Sequence, residues 1–392
     1  TALTYYMEGD NMKTILLTTG RIPASLELAR SLGKAGHRVL VADSLPIHIC
    51  KYSNSVAQSF KIASATTAFD QYRKDVLKII HDHKVDLVLP VSEETLFLSK
   101  LIDDLPDHCE IFTLNHELMK KLHNKFEFTM LAQSFGLRTP KTKLMTERVV
   151  EPSFLDAGYV IKAVYTRSGQ DVYIQDPGAD IPKDVDMEKR QYILQERIYG
   201  EHVCTFSVVQ QGKLVSTVMY RPKMTLGTVS ICFEKIENPE AMKWIETFVE
   251  KSGYHGFVSF DFIVGEDKQV FALECNPRIT SGIHLMNAST LEKSITNKAP
   301  IVEEPKFLGR QAMVGLGMLT RIPDMMSSPK KFRTLMGELL LSKDVIFDIK
   351  DPLPVVHQFA CYAQFMAVCR EHKISLKDAM FYDLEFRQEH LS

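Results

Sequence analysis

Short apolar runs and helically spaced apolar positions take turns along the first third of this chain. Residues 14–19 (TILLTT) form an apolar run that ends at Gly20, and residues 24–35 (ASLELARSLGKA) carry apolar positions at helical spacing. A second run, RVLVA at 38–42, follows Gly36 and leads to Asp43. Strand, helix and strand in that order predict a βαβ unit with its crossover helix. The pattern continues with a helix at 67–83, a buried strand in VDLVLP (85–90), a helix at 93–104 and a short strand at 110–113. Residues 12–120 therefore read as an open parallel sheet with helices on both faces. Thr19 or Ser25 is expected to cap the first helix.

Two helices are predicted over 115–136, with Asn115 as an N-cap and Gly136 as a stop. The texture then changes to β-rich, alternating segments: GYVIKAV (158–164), QYILQERI (191–198), HVCTFSVVQ (202–210), KLVSTVMY (213–220) and TVSICFEKI (228–236). A helix at 239–252 carries Trp244 on its apolar side. The strands FVSFDFIV (257–264) and QVFALEC (269–275) follow, joined by GEDK, which reads as a hairpin turn. Residues 121–300 thus form a mixed α+β domain. Residues 301–392 are mainly helical by pattern, with Pro352 and Pro354 as breaks, and read as an extension of that domain or a small third one.

A length of 392 residues agrees with two or three domains. The formal net charge of -2 argues against nucleic acid or a polybasic membrane surface as the main partner. No apolar run approaches the ~20 residues that span a bilayer. The opening TALTYYMEGDN lacks a basic segment followed by an apolar one, so it reads as no secretory signal but as an extension ahead of Met12. The seven cysteines are scattered and include no CxxC pair, the usage of reduced thiols in a cytoplasmic protein.

The parallel sheet invites a dinucleotide, and Asp43 sits near the ribose position. Only Gly20 follows the first strand, however, where the fingerprint needs three glycines for close approach to a pyrophosphate. The chemistry concentrates instead between Asp261 and Arg278. Asp261 lies on the first strand of the hairpin, Glu274 comes 13 residues later on the second, and Asn276 is two beyond it. Residues i and i+2 of a strand share a face, so Glu274 and Asn276 point together and the hairpin can bring Asp261 beside them. Two carboxylates and an amide oxygen suit Mg²⁺, and Arg278 adds a fork for phosphate or carboxylate. Glu93 and Glu94 end the strand VDLVLP, the edge at which open α/β sheets bind ligands. Glu93 could face an amine there, or Ser92 could open a capping box. His81 and His83 fall in a charged helix end and read as solvated.

An aspartate and, 13 positions on, Glu-x-Asn-Pro-Arg, here within LECNPR at 273–278, resemble the metal signature of the ATP-grasp superfamily of carboxylate–amine ligases. The resemblance extends in order over about residues 13–290. It implies an N-terminal α/β domain at 12–120, an ATP-grasp domain at 121–300 with lobes of about 121–190 and 191–300, and a mainly helical extension at 301–392.

It further implies that Lys125 and Lys162 contact nucleotide phosphates and that the loop TRSGQDV (166–172) is the phosphate lid. The lid departs from the family pattern, because only Gly169 stands where two or three glycines are common; Ser168 and Gln170 could donate in their place. Gln195, Glu196, Arg197 and Ile198 resemble the hinge whose backbone reads adenine, and Glu201 the acid that holds the ribose. Arg221 and Lys223 correspond to basic residues facing the γ-phosphate or an acyl phosphate, and Ser281 and Gly282 to a loop on the acceptor substrate. Asp261, Glu274 and Asn276 become the magnesium ligands, with Mn²⁺ able to substitute.

The implied activity is ATP-dependent coupling of a small-molecule carboxylate to an amine, through an acyl phosphate and with release of ADP, by a cytoplasmic enzyme that could be a homodimer. Two other readings stand beside it: a bicarbonate-activating subunit like carbamoyl-phosphate synthase or a biotin-carboxylase-type enzyme, and a nucleotide-binding module that has lost catalysis.

Overall fold

The computed structural model describes residues 12–166, 171–226, 229–297, 311–313 and 328–391. Its N-terminal strands are β1 (Thr14–Leu17), β2 (Arg38–Asp43), β3 (Gln58–Lys61), β4 (Leu87–Leu89) and β5 (Glu110–Ile111), all parallel in the order β3-β2-β1-β4-β5. Both faces of β1, β2 and β4 are buried, which explains why their sequences run apolar without alternation. Helices α1 (Pro23–Lys34), α2 (Phe69–His83), α3 (Glu94–Leu98) and α4 (His116–His123) belong to this part of the chain. The expected helix at 93–104 is α3 followed by a 3-10 turn at Ser99–Asp104. Neither Thr19 nor Ser25 caps α1; Ile22 holds that position and Pro23, with φ preset and no N–H to satisfy, opens the helix. Asn115 does cap α4, accepting from the Leu118 amide.

Helix α5 (Lys125–Ser134) leads into a four-stranded antiparallel sheet of β6 (Thr142–Leu144), β7 (Tyr159–Ala163), β8 (Val172–Gln175) and β9 (Tyr192–Glu196), in the order β6-β9-β7-β8, with α6 (Pro152–Leu155) beside it. Because β9 lies between β6 and β7, this sheet ends at Glu196, beyond the lobe limit of about 190 expected from the sequence.

The largest sheet has seven strands: β10 (Gly200–Gln210), β11 (Lys213–Leu226), β12 (Val229–Ile236), β13 (Gly256–Gly265), β14 (Val270–Asn276), β15 (Gln311–Met313) and β16 (Lys343–Asp344). Their order is β14-β13-β10-β11-β12-β15-β16. Helix α7 (Pro239–Ser252) packs Trp244, Ile245 and Phe248 against Val258, Phe260 and Phe262 of β13. Helix α8 (Ala288–Thr296) follows a 3-10 turn at Ser281–Leu285.

The last helices are α9 (Pro329–Leu341), α10 (Leu353–His372) and α11 (Leu376–Met380). Pro352 and Pro354 do not break a helix here. They stand at the start of α10, where a missing N–H costs nothing. Among the described residues no helix is long and apolar enough to cross a membrane. All seven cysteines are free thiols.

The C-terminal segment returns to the first sheet rather than standing apart. Asp43, at the end of β2, is a buried counterion: it accepts from Arg21 Nε at 3.0 Å and from the Gly20 amide at 2.8 Å. Burial works against its ionisation, but Arg21 outweighs burial and holds the carboxyl below its usual range. The same guanidinium reaches the tail, donating from Nη1 to the Tyr382 carbonyl and to Asp383 Oδ1, each at 3.0 Å. A second clamp joins Arg30 of α1 to Asp351 at 2.9 Å, with Ser53 donating to the same carboxylate at 2.7 Å. Phe386 then buries its ring in the core on one face of the N-terminal sheet.

Removing one partner of a buried ion pair leaves an uncompensated charge and costs about 3–5 kcal/mol. Arg21→Met is therefore expected to lower the unfolding free energy by about that much in urea titrations. Arg73→Met, at the exposed pair with Asp104, should change the midpoint little. Equal, small effects would show that the Arg21 cluster does not hold the tail.

Candidate active site

The site follows from the two-residue period of β13. Val258, Phe260 and Phe262 point into the core beneath α7, so Ser259, Asp261 and Ile263 point the other way. Asp261 pairs in register with Glu274 of β14, and Ser259 with Asn276, which places the three predicted metal-binding residues on one face. The Asn276 amide nitrogen is 3.3 Å from Asp261 Oδ2 and 3.4 Å from Glu274 Oε1. The two side chains are only 23% and 27% exposed, so solvent screens the repulsion between their carboxylates weakly.

Burial first, and then the neighbouring Glu274 charge, push the Asp261 carboxyl up to about 6. Burial also opposes ionisation of Glu274, but Lys125 and Lys162 outweigh it and hold that carboxyl low. Like charges on a shared face, with one raised against the other, form an arrangement that a divalent cation relieves. The donors are hard oxygens, and turning over the Asn276 amide would add a third. The residues therefore fit Mg²⁺.

Two cations approach from outside the hairpin. Lys125 is the first residue of α5, presented there because Asn124 caps the helix by accepting from the Phe126 and Glu127 amides. Its Nζ lies 3.8 Å from Glu274 Oε2 and donates to the Thr166 carbonyl at 2.7 Å. Lys162, on β7, is buried and donates to Gln195 Oε1 of β9 at 2.8 Å; Gln195 is fixed in turn by Thr142. Burial lowers the Lys162 ammonium to about 8, with Glu274 partly restoring it. A buried lysine without an ion partner in hydrogen-bond range is ready for an incoming anion.

Arg278 carries the site towards the N-terminal sheet. Its Nη2 donates to Asn276 Oδ1 at 3.0 Å and its Nε lies 3.5 Å from Glu93 Oε1. Glu93 Oε2 accepts from the Phe386 amide at 3.0 Å. No Ser92 capping box forms, because Glu94 turns back to accept from the Val91 and Ser92 amides and from Thr18 Oγ1. Glu93 is thereby left facing the cleft at the edge where the strand order of the parallel sheet reverses. A cavity of about 340 Å³ opens there, lined by Glu93, Tyr165, Thr166, Arg190, Phe386 and Arg387. The part taken by the tail had no signature in the sequence.

The remaining expected residues stand elsewhere. Arg221 does not join the carboxylates: its neighbour Tyr220 is in register with Cys204, which pairs with Asp261, so Arg221 lies on the other face of the sheet. There it bridges Glu201 at 3.1 Å and Glu234 at 2.9 Å. Lys223 reaches Glu338 of α9 at 2.7 Å. Glu196 and Arg197 turn their side chains to the Lys141 amide and to Asp176, and Ile198 is half-buried in the link between the two sheets. Gly282 meets protein rather than a substrate-sized space: a Cβ there would come within 2.7 Å of Phe206 and 2.8 Å of Tyr220. His81 is exposed at the end of α2, as expected. Ser168 and Gly169, with most of the expected lid, lie outside the described residues. His202 and Cys204 of β10, which the sequence reading left as ordinary strand positions, lie beside Asp261.

Residues 122–282 match the profile of the ATP-grasp domain family. No curated protein matches the chain in sequence. In fold it is similar to N5-carboxyaminoimidazole synthetase from Staphylococcus aureus complexed with ADP, with a TM-score of 0.60 and 14% identity over 80% of this chain and 86% of that one. It is also similar to L-amino acid ligase from Bacillus licheniformis, with a TM-score of 0.56 and 14% identity over 72% of this chain and 74% of that one. Biotin carboxylase from Campylobacter jejuni gives a TM-score of 0.56 and 15% identity over 76% and 74%. The matched segment holds the two lysines and the Asp261–Glu274–Asn276 cluster, and over residues 122–282 the chain carries an ATP-grasp domain.

Proposed function

We propose that this chain is an ATP-dependent ligase that activates a small-molecule carboxylate as an acyl phosphate and couples it to an amine, releasing ADP and phosphate. The observation that carries this reading is the convergence of Lys125 and Lys162 on the carboxylates of β13 and β14. ATP is the nucleotide and Mg²⁺ the metal. Asp261, Glu274 and Asn276 are the residues that would hold Mg²⁺, whose charge, when bound, neutralises phosphate oxygens.

The chain itself supplies positioning and fixed charge, the main needs of phosphoryl transfer. Lys162, held by Gln195, meets phosphate as a buried cation whose charge the phosphate restores. Lys125 is steered by Asn124 and the Thr166 carbonyl to the same region. Arg278 stands between the metal cluster and Glu93, placed to orient the substrate carboxylate, while Glu93 on the N-terminal side offers a counter-charge to an amine. The hinge at 195–198 contributes to adenine through its backbone, since Glu196 and Arg197 have committed their side chains. Glu201, which corresponds to the acid that would hold the ribose hydroxyls, pairs with Arg221.

A phosphate-release screen over pairs of amino acids, with simple carboxylic acids and bicarbonate included, tests the reaction. Phosphate release that needs a carboxylate and an amine together supports the proposal. Release with bicarbonate alone as the acid would transfer the chain to bicarbonate activation. Tight ATP binding with no turnover on any acid would make it a binding module.

Glu274→Gln keeps the shape of the cluster but removes one charge, so ADP formation should fall by about 100-fold or more, the range seen when a preorganised electrostatic group is lost. The melting temperature of the nucleotide-free variant should fall, because Lys125 and Lys162 lose the counter-charge that holds Glu274 ionised, and relief of the repulsion with Asp261 offsets this only in part. Glu266→Gln, on the exposed hairpin turn, should be silent. Normal turnover of Glu274→Gln at limiting magnesium would remove the metal assignment.

Lys162→Ala should abolish ATP turnover and weaken nucleotide binding, measured by calorimetry, while circular dichroism stays unchanged. Parental affinity in that variant would take Lys162 out of the phosphate site.

A further inference from the structure

His202 and Cys204 are two residues apart on β10 and so share one face of the sheet. Cys204 is in register with Asp261, which sets all three side chains on the face that carries the magnesium cluster. Cys204 Sγ is 3.7 Å from His202 Nε2, and His202 Nε2 is 4.0 Å from Asp261 Oδ1. The three ligand atoms lie within 4.8 Å of one another, and among the described residues no other trio of His, Cys, Asp or Glu is grouped so closely. A tetrahedral ion with bonds of about 2.0–2.3 Å keeps its ligand atoms roughly 3.3–3.8 Å apart. The trio is thus close to a finished set. Cys204 is buried and anchored by the ladder, while the half-exposed His202 ring is free to close the remaining gap.

The donor chemistry differs from that of the neighbouring cluster. Mg²⁺ takes hard oxygens, whereas sulfur, imidazole nitrogen and one carboxylate suit zinc and ions of similar softness. We propose that His202, Cys204 and Asp261 form a second metal site, selective for zinc-class divalent ions, that shares Asp261 with the magnesium cluster. Three protein ligands leave a fourth position for water or a phosphate oxygen. Coordination makes Cys204 a thiolate, and its proton passes to solvent.

Asp261 turns Oδ1 towards His202 and Oδ2 towards Asn276, so a zinc-class ion in this site shares that carboxylate, draws its charge from the Mg²⁺ cluster and slows ATP turnover. That consequence rests on the ligase reading; the site itself does not.

Cobalt(II) added to the nucleotide-free full chain is the probe. One ion per chain should bind, with an intense thiolate-to-cobalt charge-transfer band and the visible bands of tetrahedral cobalt, and zinc should displace it. Cys204→Ser should lose the charge-transfer band. His202→Ala should weaken cobalt binding at least about tenfold, the minimum seen even for partners outside the ligand set. Cys369→Ser, which alters the most accessible thiol, should retain the full spectrum. Circular dichroism of each variant separates loss of the site from loss of the fold. No band in the parent, or a full band in Cys204→Ser, overturns the site. Micromolar zinc should then inhibit ADP formation by the parent but not by Cys204→Ser. Equal inhibition of the two overturns the coupling through Asp261, whatever the substrates prove to be.

Discussion

Two carboxylates held face to face in a half-buried cleft repel each other, and this protein offsets the repulsion with ammonium groups brought from elsewhere in the chain. Asp261 and Glu274 are locked opposite one another by the register of β13 and β14. The charge of Lys162 acts on Glu274 from the four-stranded sheet, and Lys125 approaches it from the start of α5. The balance is incomplete, since burial and Glu274 still raise Asp261. An incompletely balanced cluster, with a buried lysine already weakened as a cation, has charge to share with a metal and with phosphates. The rest of the architecture serves to hold these groups near each other without letting them neutralise fully.

Arg278 extends the same electrostatics across the boundary between domains. It binds back to Asn276 on one side and approaches Glu93 on the other, so the magnesium cluster and the reversal point of the parallel sheet belong to one polar chain. Glu93 is aimed by two backbone facts: Glu94 takes the amides of Val91 and Ser92, and the Phe386 amide takes the second oxygen of Glu93. The tail that supplies Phe386 is held by Arg21 and Asp43, far from the nucleotide residues in sequence. A buried ion cluster on the N-terminal sheet therefore helps shape the wall of the cavity beside Glu93. His202 and Cys204 add sulfur and nitrogen to the same face and give that cleft two kinds of metal preference side by side.

Much of this was legible in the chain before any coordinates. Apolar runs broken by helical periodicity specify a parallel sheet, because both faces of such strands are buried. The spacing from Asp261 to Glu274 and Asn276 specifies a hairpin with inward oxygens, because strands have a period of two. Prolines were harder to place. Pro352 and Pro354 read as interruptions, yet they start α10, since a proline that cannot continue a helix is well suited to begin one. Arg221 and Lys223 read as phosphate contacts by resemblance, but a one-residue step along a strand reverses the face and put Arg221 among Glu201 and Glu234.

What the chain by itself determined, then, is local: which segments are strands or helices, which way side chains alternate, and which residue types gather at the hairpin. These depend on periodicity and on backbone preferences over a few residues. Only the tertiary structure decided which distant groups meet. That Glu93 faces Arg278, that Asp43 is a counterion for Arg21 and not a ribose ligand, and that His202 and Cys204 stand beside Asp261 all depend on strand order, register and the return of the tail. Those are long-range pairings selected by burial of charge and apolar surface together, and no short window of sequence contains them.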